Sequence, residues 1–563
     1  MTAELNPGLV LIVGALLVPA LKGYLRAGYM LALPLLAFAL MLTFDHGKAG
    51  AVDLFELELT TLRVDRLSLI FGYIFMLAAL ISVIYQLHVR DTLQQVAGLV
   101  YAGSATGAVF AGDLVTLFLF WEGTAVASVF LIWASRTERS LAAGMRYLVI
   151  QVGSGVLLLA GAMIHYRQTG SIAFDAIDLG TLGGLLIFLS FGIKCAFPLL
   201  HNWLQDAYPE ATVTGTVMLS VFTTKLAVYA LARGYAGTEI LVPIGALMTA
   251  FPIFYAVIEN DLRRVLAYSL NNQLGFMVVG IGIGTELAVN GTAAHAFCHI
   301  LYKALLFMSM GAVLFRTGTI KGSELGGLYK TMPWTTGFCI VGAASISAFP
   351  LFSGFVSKSL IITAAMEGGY FWTWLVLLFA SAGVFHHSGI KIPFFAFFAH
   401  DSGLRPKEAP LNMLIAMGIA AALCIGIGVF PGPLYMLLPY AVDFVPYTLG
   451  HVVTQLQLLI FSALAFTVLM RTGLYPPELR STNLDTDWFY RRALYRVAVS
   501  AGRAAAQVRS AAIRSTTRSA VSFVTYVYRH GGPEGIFART RPTGSMAFWT
   551  TVLLAAYLLF YYL

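Results

Sequence analysis

The chain has 563 residues, of which 58% are hydrophobic and only 11% charged, with a formal net charge of +8. Soluble domains carry about 25% charged residues, so this composition excludes a water-soluble globular protein and indicates one embedded in a bilayer. Cys195, Cys298, Cys339 and Cys424 lie in or beside apolar runs without metal-ligand spacing, which reads as packing and excludes a cysteine-held redox centre.

Cutting at loops leaves about sixteen apolar segments of membrane-crossing character: 7–23, 27–43, 67–88, 94–112, 113–132, 145–164, 181–200, 213–234, 240–258, 264–285, 293–315, 336–362, 371–399, 411–430, 455–471 and 547–563. The first follows Glu4 and runs on into the second without a small-residue cleavage pattern, so it reads as a span and not as a signal peptide. Segments 336–362 and 371–399 exceed a straight crossing and are expected to be broken or bent. The expected class is an all-α, polytopic membrane protein. Its expected parts are N-terminal helices over 1–112, a first unit over 113–258, a second over 259–400, further helices over 401–472, a basic segment over 473–546 and a final helix over 547–563.

Basic residues sort by loop parity. Loops after odd-numbered segments carry Lys22, Arg26, Arg90, Arg136, Arg139, Arg263, Arg264, Arg316, Lys321, Lys330, Arg405 and Lys407, whereas loops after even-numbered ones carry mainly Lys48, Arg167 and Arg233. The positive-inside rule then places the odd-following loops in the cytoplasm and the N-terminus outside.

Ionisable residues inside these segments are expensive in hydrocarbon and mark a candidate ion path. Glu122 lies in Leu117-Phe118-Leu119-Phe120-Trp121-Glu122-Gly123 and needs a cation partner, for which Lys194 is the best candidate. Such a pair acts as a switch when its geometry changes, or as a static ion pair that orients two helices. Lys225, near the middle of 213–234 and without an adjacent acid, reads as a relay site. Asp261, Arg263 and Arg264 read as anchors at the membrane interface. His295, His299 and Lys303 recur at i, i+4 and i+8, which stacks them along one helical stripe. Two histidines four apart without a nearby acid make a poor metal site, so neither a metal nor another cofactor is expected. Lys358 follows Pro350 and Gly354 in a segment expected to be locally broken, as the last buried station before an exit; His386 and His387, near Lys391, are candidates to serve that exit.

Residues 491–529 hold eight arginines and no acid, with Leu494, Val497, Ala501, Ala504, Ala505, Val508 and Ala512 at three- and four-residue steps. This predicts an amphipathic helix from about 487 to 530 that lies along phospholipid or neighbouring subunits. The run alone also fits a solvated or nucleic-acid-binding tail, but apolar segments on both sides argue against nucleic acid.

Trp121-Glu122, His201-Asn202-Trp203-Leu204-Gln205-Asp206-Ala207-Tyr208-Pro209-Glu210-Ala211, Thr223-Thr224-Lys225, the stretch from Asp261 to Ser269 and Gly354-Phe355-Val356-Ser357-Lys358 carry a resemblance over nearly the whole chain. It is to the antiporter-like subunits shared by Mrp-type multisubunit cation/proton antiporters and respiratory complex I with its hydrogenase relatives. The resemblance implies two inverted five-helix repeats with broken seventh and twelfth helices. It also implies an input pair of Glu122 and Lys194, a central axis of Lys225, His299 and Lys303, and an outward terminus at Lys358. Lys225 and its flanking motifs look like the D-type subunit of the Mrp antiporters, whereas the basic segment and last span look like the lateral helix of the distal complex I subunit. Gln205 stands where the related motif most often has proline.

The implied function is proton translocation in a multisubunit monovalent cation (Na+)/proton antiporter of a bacterial inner membrane, with other membrane subunits as partners. Two alternatives stay open: a proton-pumping subunit of an NADH dehydrogenase or hydrogenase-type complex, and an energy-coupling subunit for a soluble partner in inorganic-carbon uptake. The chain has no dinucleotide loop or cysteine cluster, so redox chemistry would belong to partners.

Overall fold

The computed structural model describes residues 4–55, 57–476, 478–479 and 483–563. Two compact units divide it, Met1–Asn483 and Leu484–Leu563. Each apolar segment of the sequence is helical, and among the described residues eleven helices are long and apolar enough to cross a membrane. The protein is therefore an α-helical, multi-pass membrane protein.

The first unit opens with α1 (Pro7–Ala15) and α2 (Gly23–Met41). An antiparallel hairpin follows, β1 (Gly47–Leu54) and β2 (Leu57–Val64), the one departure from all-helical structure among the described residues. Its signal was the alternation of Leu57, Leu59 and, one register on, Leu62 and Val64 with polar residues. The hairpin is tied to the next helices, because the Thr60 amide donates to the Asp113 carboxylate (2.8 Å) and the Arg63 amide to the Phe110 carbonyl (2.7 Å).

Next come α3 (Arg66–Gln86) and α4 (Thr92–Val109), then α5 (Leu114–Trp133), α6 (Glu138–Thr169), α7 (Leu182–Lys194), α8 (Asn202–Ala207), α9 (Val213–Val221) and α10 (Thr223–Gly234). A similar succession follows: α11 (Leu241–Ile258), α12 (Leu262–Ile283), α13 (Glu286–Thr317), α14 (Pro333–Ile346), α15 (Ser353–Glu367) and α16 (Phe371–Val384), the last extended through π-helical turns to Phe398.

The correspondence reaches into the caps. Asp113 accepts the Val115 and Thr116 amides at the start of α5, and Asp261 accepts the Arg263 and Arg264 amides at the start of α12. Both α6 and α13 have 32 residues, begin on a threonine cap (Thr137, Thr285) and end on a left-handed glycine (Gly170 φ 71°, Gly318 φ 75°). The chain then returns to bridge Asp113 with Ala173 and Asp261 with Lys321.

The breaks repeat as well. Between α7 and α8 the chain reads Ala196-Phe197-Pro198-Leu199, and between α14 and α15 Ala348-Phe349-Pro350-Leu351. In each, the first and last residues are left-handed: Ala196 φ 61°, Leu199 φ 70°, Ala348 φ 56°, Leu351 φ 74°. Proline removes a backbone donor and disfavours helix in the residue before it. A non-glycine residue in the left-handed region costs about 1–2 kcal/mol, and such strain survives where surrounding packing over-determines it. The breaks lie inside the expected segments 181–200 and 336–362.

Close backbone contact holds α11 against α12, where a Cβ on Gly275 would lie 2.6 Å from the Gly245 carbonyl oxygen. Helices Leu411–Val429 and Leu449–Thr472 complete the unit's spans.

In the second unit, π-helical turns over Phe489–Leu494 lead into one helix, Tyr495–Gly531. Its 37 residues make it about 56 Å long. Arg491 Nε lies 3.0 Å from Asp487, and a last apolar helix spans Thr543–Tyr562.

Candidate functional site

Glu122 sits near the middle of α5, half-buried and turned to α6, where Gly155 leaves room for its carboxylate. Its Oε1 is buried without a hydrogen-bond partner. Lys194 is the last residue of α7, fully buried, with its side chain laid against α5. Nζ donates to the Trp121 carbonyl (2.6 Å) and Thr124 Oγ1 (2.8 Å) and lies 4.3 Å from the centre of the Trp121 ring. Glu122 and Lys194 thus meet on one stretch of α5, but they do not close an ion pair. The ammonium is held instead by a carbonyl, a hydroxyl and an aromatic face, a set that stabilises a cation without neutralising it.

Lys225 lies in the first turn of α10, just past the break at Phe222, and Nζ donates 2.5 Å to the Ser220 carbonyl. A break leaves main-chain carbonyls without helical partners, and a buried ammonium satisfies one here. Thr223 is fixed by Tyr101, whose hydroxyl receives the Thr223 amide (3.0 Å) and pairs with its Oγ1 (2.6 Å).

The α13 stripe forms as its spacing requires. The His295 and His299 rings are 6.2 Å apart, and Tyr302 packs edge-on to His299 at 5.3 Å. His295 Nδ1 lies 3.2 Å from Ser357 Oγ and its Nε2 3.4 Å from the Tyr302 hydroxyl, which donates to Gln273 Oε1 (3.1 Å). Both ring nitrogens of His299 are buried without a partner, as are both polar atoms of the Asn271 side chain. Ordered water satisfies such groups in protein interiors. Lys303 Nζ donates 2.8 Å to Ser269 Oγ.

Lys358 on α15 donates 3.0 Å to the Ile346 carbonyl, the last of α14, and lies 5.0 Å from the centre of the Phe276 ring. It therefore sits at its helix break much as Lys225 does. The hydrogen bonds of His387, a candidate to serve the exit past Lys358, run toward Lys303. His387 Nδ1 pairs with Ser388 Oγ (2.8 Å), Ser388 donates to Ser269 Oγ (2.8 Å), and the chain ends on Lys303. His386 instead stacks on Tyr475, with ring centres 5.5 Å apart.

Arg263, in the first turn of α12, does more than anchor an interface. It is buried and donates to the carbonyls of Pro209 (3.0 Å), Ala211 (2.9 Å) and Thr212 (3.2 Å), and to Thr216 Oγ1, so it ties α12 to the turn before α9. A lone arginine at a helix start reads in sequence as an interface anchor, because the carbonyls it serves lie about fifty residues away in the chain.

The family described as "NADH:quinone oxidoreductase/Mrp antiporter, TM" matches residues 111–386. Hydrogenase-4 component B of Escherichia coli is 27% identical over 427 residues, 66% of this chain and 62% of that protein. The D-type Na(+)/H(+) antiporter subunit of Alkalihalophilus pseudofirmus is 33% identical over 279 residues, 46% of this chain and 56% of that protein. The chain thus spans less than two thirds of the length of these curated relatives. In fold it is similar to a chain of the membrane-bound sulfane sulfur reductase, an archaeal respiratory membrane complex, with a TM-score of 0.72 at 22% identity, covering 98% of this chain and 99% of that one. The matched residues enclose Glu122, Lys194, Lys225, the α13 stripe and Lys358, and over this stretch, just under half of its length, the chain is similar to the antiporter-like family shared by Mrp-type Na+/H+ antiporters and complex I.

Proposed function

We propose that this chain is the proton-translocating, antiporter-like subunit of a multisubunit monovalent cation (Na+)/proton antiporter in a bacterial inner membrane. The observation that carries this reading is the row of buried Lys194, Lys225, His299, Lys303 and Lys358 inside the family-matched stretch, the first two and the last beside helix breaks and His299 and Lys303 on the continuous α13. Isolated cations at this depth cost several kcal/mol each unless function retains them.

In this reading the matching caps, lengths and breaks of α5–α8 and α12–α15 are those of two inverted five-helix repeats, each contributing one half-channel. All sixteen apolar segments cross the bilayer, and the basic loops face the cytoplasm, leaving the N-terminus outside. Glu122 receives a proton and Lys194 answers its change of charge; Lys225, His299 and Lys303 relay it, with His295 and Lys358 on the branch toward the far side. The helix Tyr495–Gly531 carries arginines on one side and lies along neighbouring membrane subunits or anionic lipid.

A second reading, a proton-pumping subunit of a redox complex, is favoured by that same helix and the last span, which resemble the lateral arm of the distal complex I subunit. One experiment separates them. The intact complex is reconstituted, and cation-dependent proton flux is followed in wild type and Lys194→Ala. Flux that depends on Na+ and is lost in the variant supports the antiporter reading. Flux independent of any cation favours the second, and equal flux in both proteins removes Lys194 from the path.

A further inference from the structure

Lys391 is fully buried in the π-helical extension of α16, and its surroundings differ from those of the other buried lysines because it has an acid. Nζ donates to the carbonyls of Ala256 (3.2 Å), Val257 (2.6 Å) and Glu259 (2.7 Å) at the end of α11, and lies 2.9 Å from Glu478 Oε1. Glu478 follows the helix Leu449–Thr472 and belongs to none of the matched elements, since the family match ends at 386. Its segment is latched in place by Tyr475, which stacks on His386 and packs 5.2 Å from Phe466. The floor is the loop after α13, where a Cβ on Gly322 would lie 3.5 Å from Glu478 Oε2. Glu259 completes the cluster, its Oε2 accepting from Asn483 (3.1 Å).

The loops at this end carry Arg263, Arg264, Arg316, Lys321, Lys330, Arg405 and Lys407, the basic set that marks the cytoplasmic side. On the inner side of Lys391 starts a hydrogen-bonded run: His387, Ser388, Ser269, Lys303, with each link at 2.8 Å. His387 Nε2, at the outer end of that run, is buried and has no protein partner. An acid at the cytoplasmic rim and a wire to the α13 stripe thus meet within four residues of one helix.

We propose that the Glu478–Lys391 ion pair is a cytoplasmic proton gate of this chain, supplying Lys303 through His387, Ser388 and Ser269. The inference rests on the proton-translocating reading and extends it to a route outside the family-matched residues. A proton arriving from the cytoplasm neutralises the Glu478 carboxylate and releases it from Lys391, which keeps its own protons on the three α11 carbonyls. Glu478 then passes its proton through water to His387 Nε2. His387 gives up the Nδ1 proton to Ser388, Ser388 its own to Ser269, and Ser269 its own to a neutral Lys303 amine, so Glu478, His387, Ser388 and Ser269 each end with the number of protons they began with and Lys303 gains the one taken from the cytoplasm. Glu478 is suited to this by position: burial pushes its carboxyl above the usual carboxylate range, against the pull of Lys391. The charged and titratable groups facing the pair are Glu259 from the α11–α12 turn, His386 and His387 from α16, and Tyr475 from its own segment.

The test uses the intact complex in proteoliposomes and three variants, Glu478→Gln, Glu478→Asp and Ser388→Ala. Glu478→Gln and Ser388→Ala are expected to lower the initial proton flux on the order of a hundredfold, the scale of a lost acid–base group, and Glu478→Asp to restore most of it. Wild-type flux in either of the first two overturns the gate. An equal loss in Gln and Asp overturns it too, because it assigns Glu478 a structural role. Absence of flux in the wild-type complex would instead fail the proton-translocating reading itself. A readout independent of flux is Glu478→Cys with a membrane-impermeant maleimide: labelling is expected in inside-out vesicles and not in right-side-out ones, and the reverse pattern overturns the proposal.

Discussion

Lys194 Nζ lies 2.6 Å from the Trp121 carbonyl and 4.3 Å from the centre of its indole, so the ammonium docks on the residue preceding Glu122 and not on the Glu122 carboxylate. A cation so held is stabilised by a neutral surface and stays free to respond to a charge that appears and disappears one residue away. The indole is itself fixed, with Nε1 donating 3.1 Å to Ser154 Oγ. Trp121→Leu should therefore weaken the hold on Lys194 by about 2 kcal/mol, the value of a desolvated cation–π contact, and depress proton flux while the complex still assembles. Trp121→Phe should keep more of the flux than Leu, measured as initial rates on the same reconstituted preparation. Equal rates for Leu and Phe would remove the aromatic face from the mechanism.

Gly155 faces Glu122 across the α5–α6 contact, and a Cβ there would collide with Glu122 Oε1. Alanine improves helix propensity by about 1 kcal/mol over glycine, so Gly155→Ala should leave α6 and assembly intact while displacing the carboxylate. Flux is expected to fall. The shorter side chain of Glu122→Asp relieves the collision, so the double variant should be more active than Gly155→Ala alone. A double-mutant cycle checks this, and strictly additive effects would show that the two residues do not share the space.

The left-handed residues at the two breaks make a backbone prediction. Ala348 is buried, at φ 56°, immediately after α14 releases the Ile346 carbonyl to Lys358. Ala348→Gly should leave thermal stability within about 1 kcal/mol of wild type, because relief of strain offsets the added chain entropy. Ala348→Val should destabilise by about 2 kcal/mol, since a β-branched residue tolerates positive φ least. The same pair of substitutions at Ala196 should behave alike. Denaturation of the purified protein in detergent provides the measurement, and a stable Ala348→Val would show that the break can relax into another conformation.

These particulars show what was legible in the chain beforehand. Apolar runs became helices because main-chain polar groups in hydrocarbon have few other solutions, and the length of 336–362 with its Pro350 and Gly354 pointed to one break, while the break in 181–200 came only from the resemblance. The i, i+4, i+8 stripe was legible because one helix sets its spacing. The contact of Lys194 with Trp121 was not, because it depends on how α7 crosses α5. Nor was the Ser269–Ser388 bond, whose partners stand 119 residues apart. Two serines announce nothing in sequence, and Glu478 lies beyond every apolar segment that the charges had singled out.

Arg233 and Asp65 supply a prediction outside the apolar interior. Asp65 caps α3 by accepting the Ser68 amide (2.9 Å) and receives the buried Arg233 guanidinium at 2.8 Å, with Arg63 at 3.2 Å on its other side. Burial alone would raise its carboxyl, but the Arg233 hydrogen bond and charge, the Ser68 amide and Arg63 together hold it below its ordinary value of 3.8. A depressed carboxyl stabilises the fold above its unfolded pKa and loses that contribution as pH falls through the folded one. Asp65→Asn keeps an acceptor for the cap but leaves Arg233 without its counter-charge. Because Asp65 is partly open to solvent, the cost should be about 1–2 kcal/mol, below that of a fully buried pair. The difference between wild type and variant should be constant at pH 5–7, where the carboxylate is ionised in both states, and should narrow below about pH 4. Thermal denaturation across that range measures it, and a difference that persisted unchanged into acid would show that Asp65 acts as a cap alone and that Arg233 is satisfied by the Tyr229 hydroxyl, to which its Nε donates at 2.7 Å.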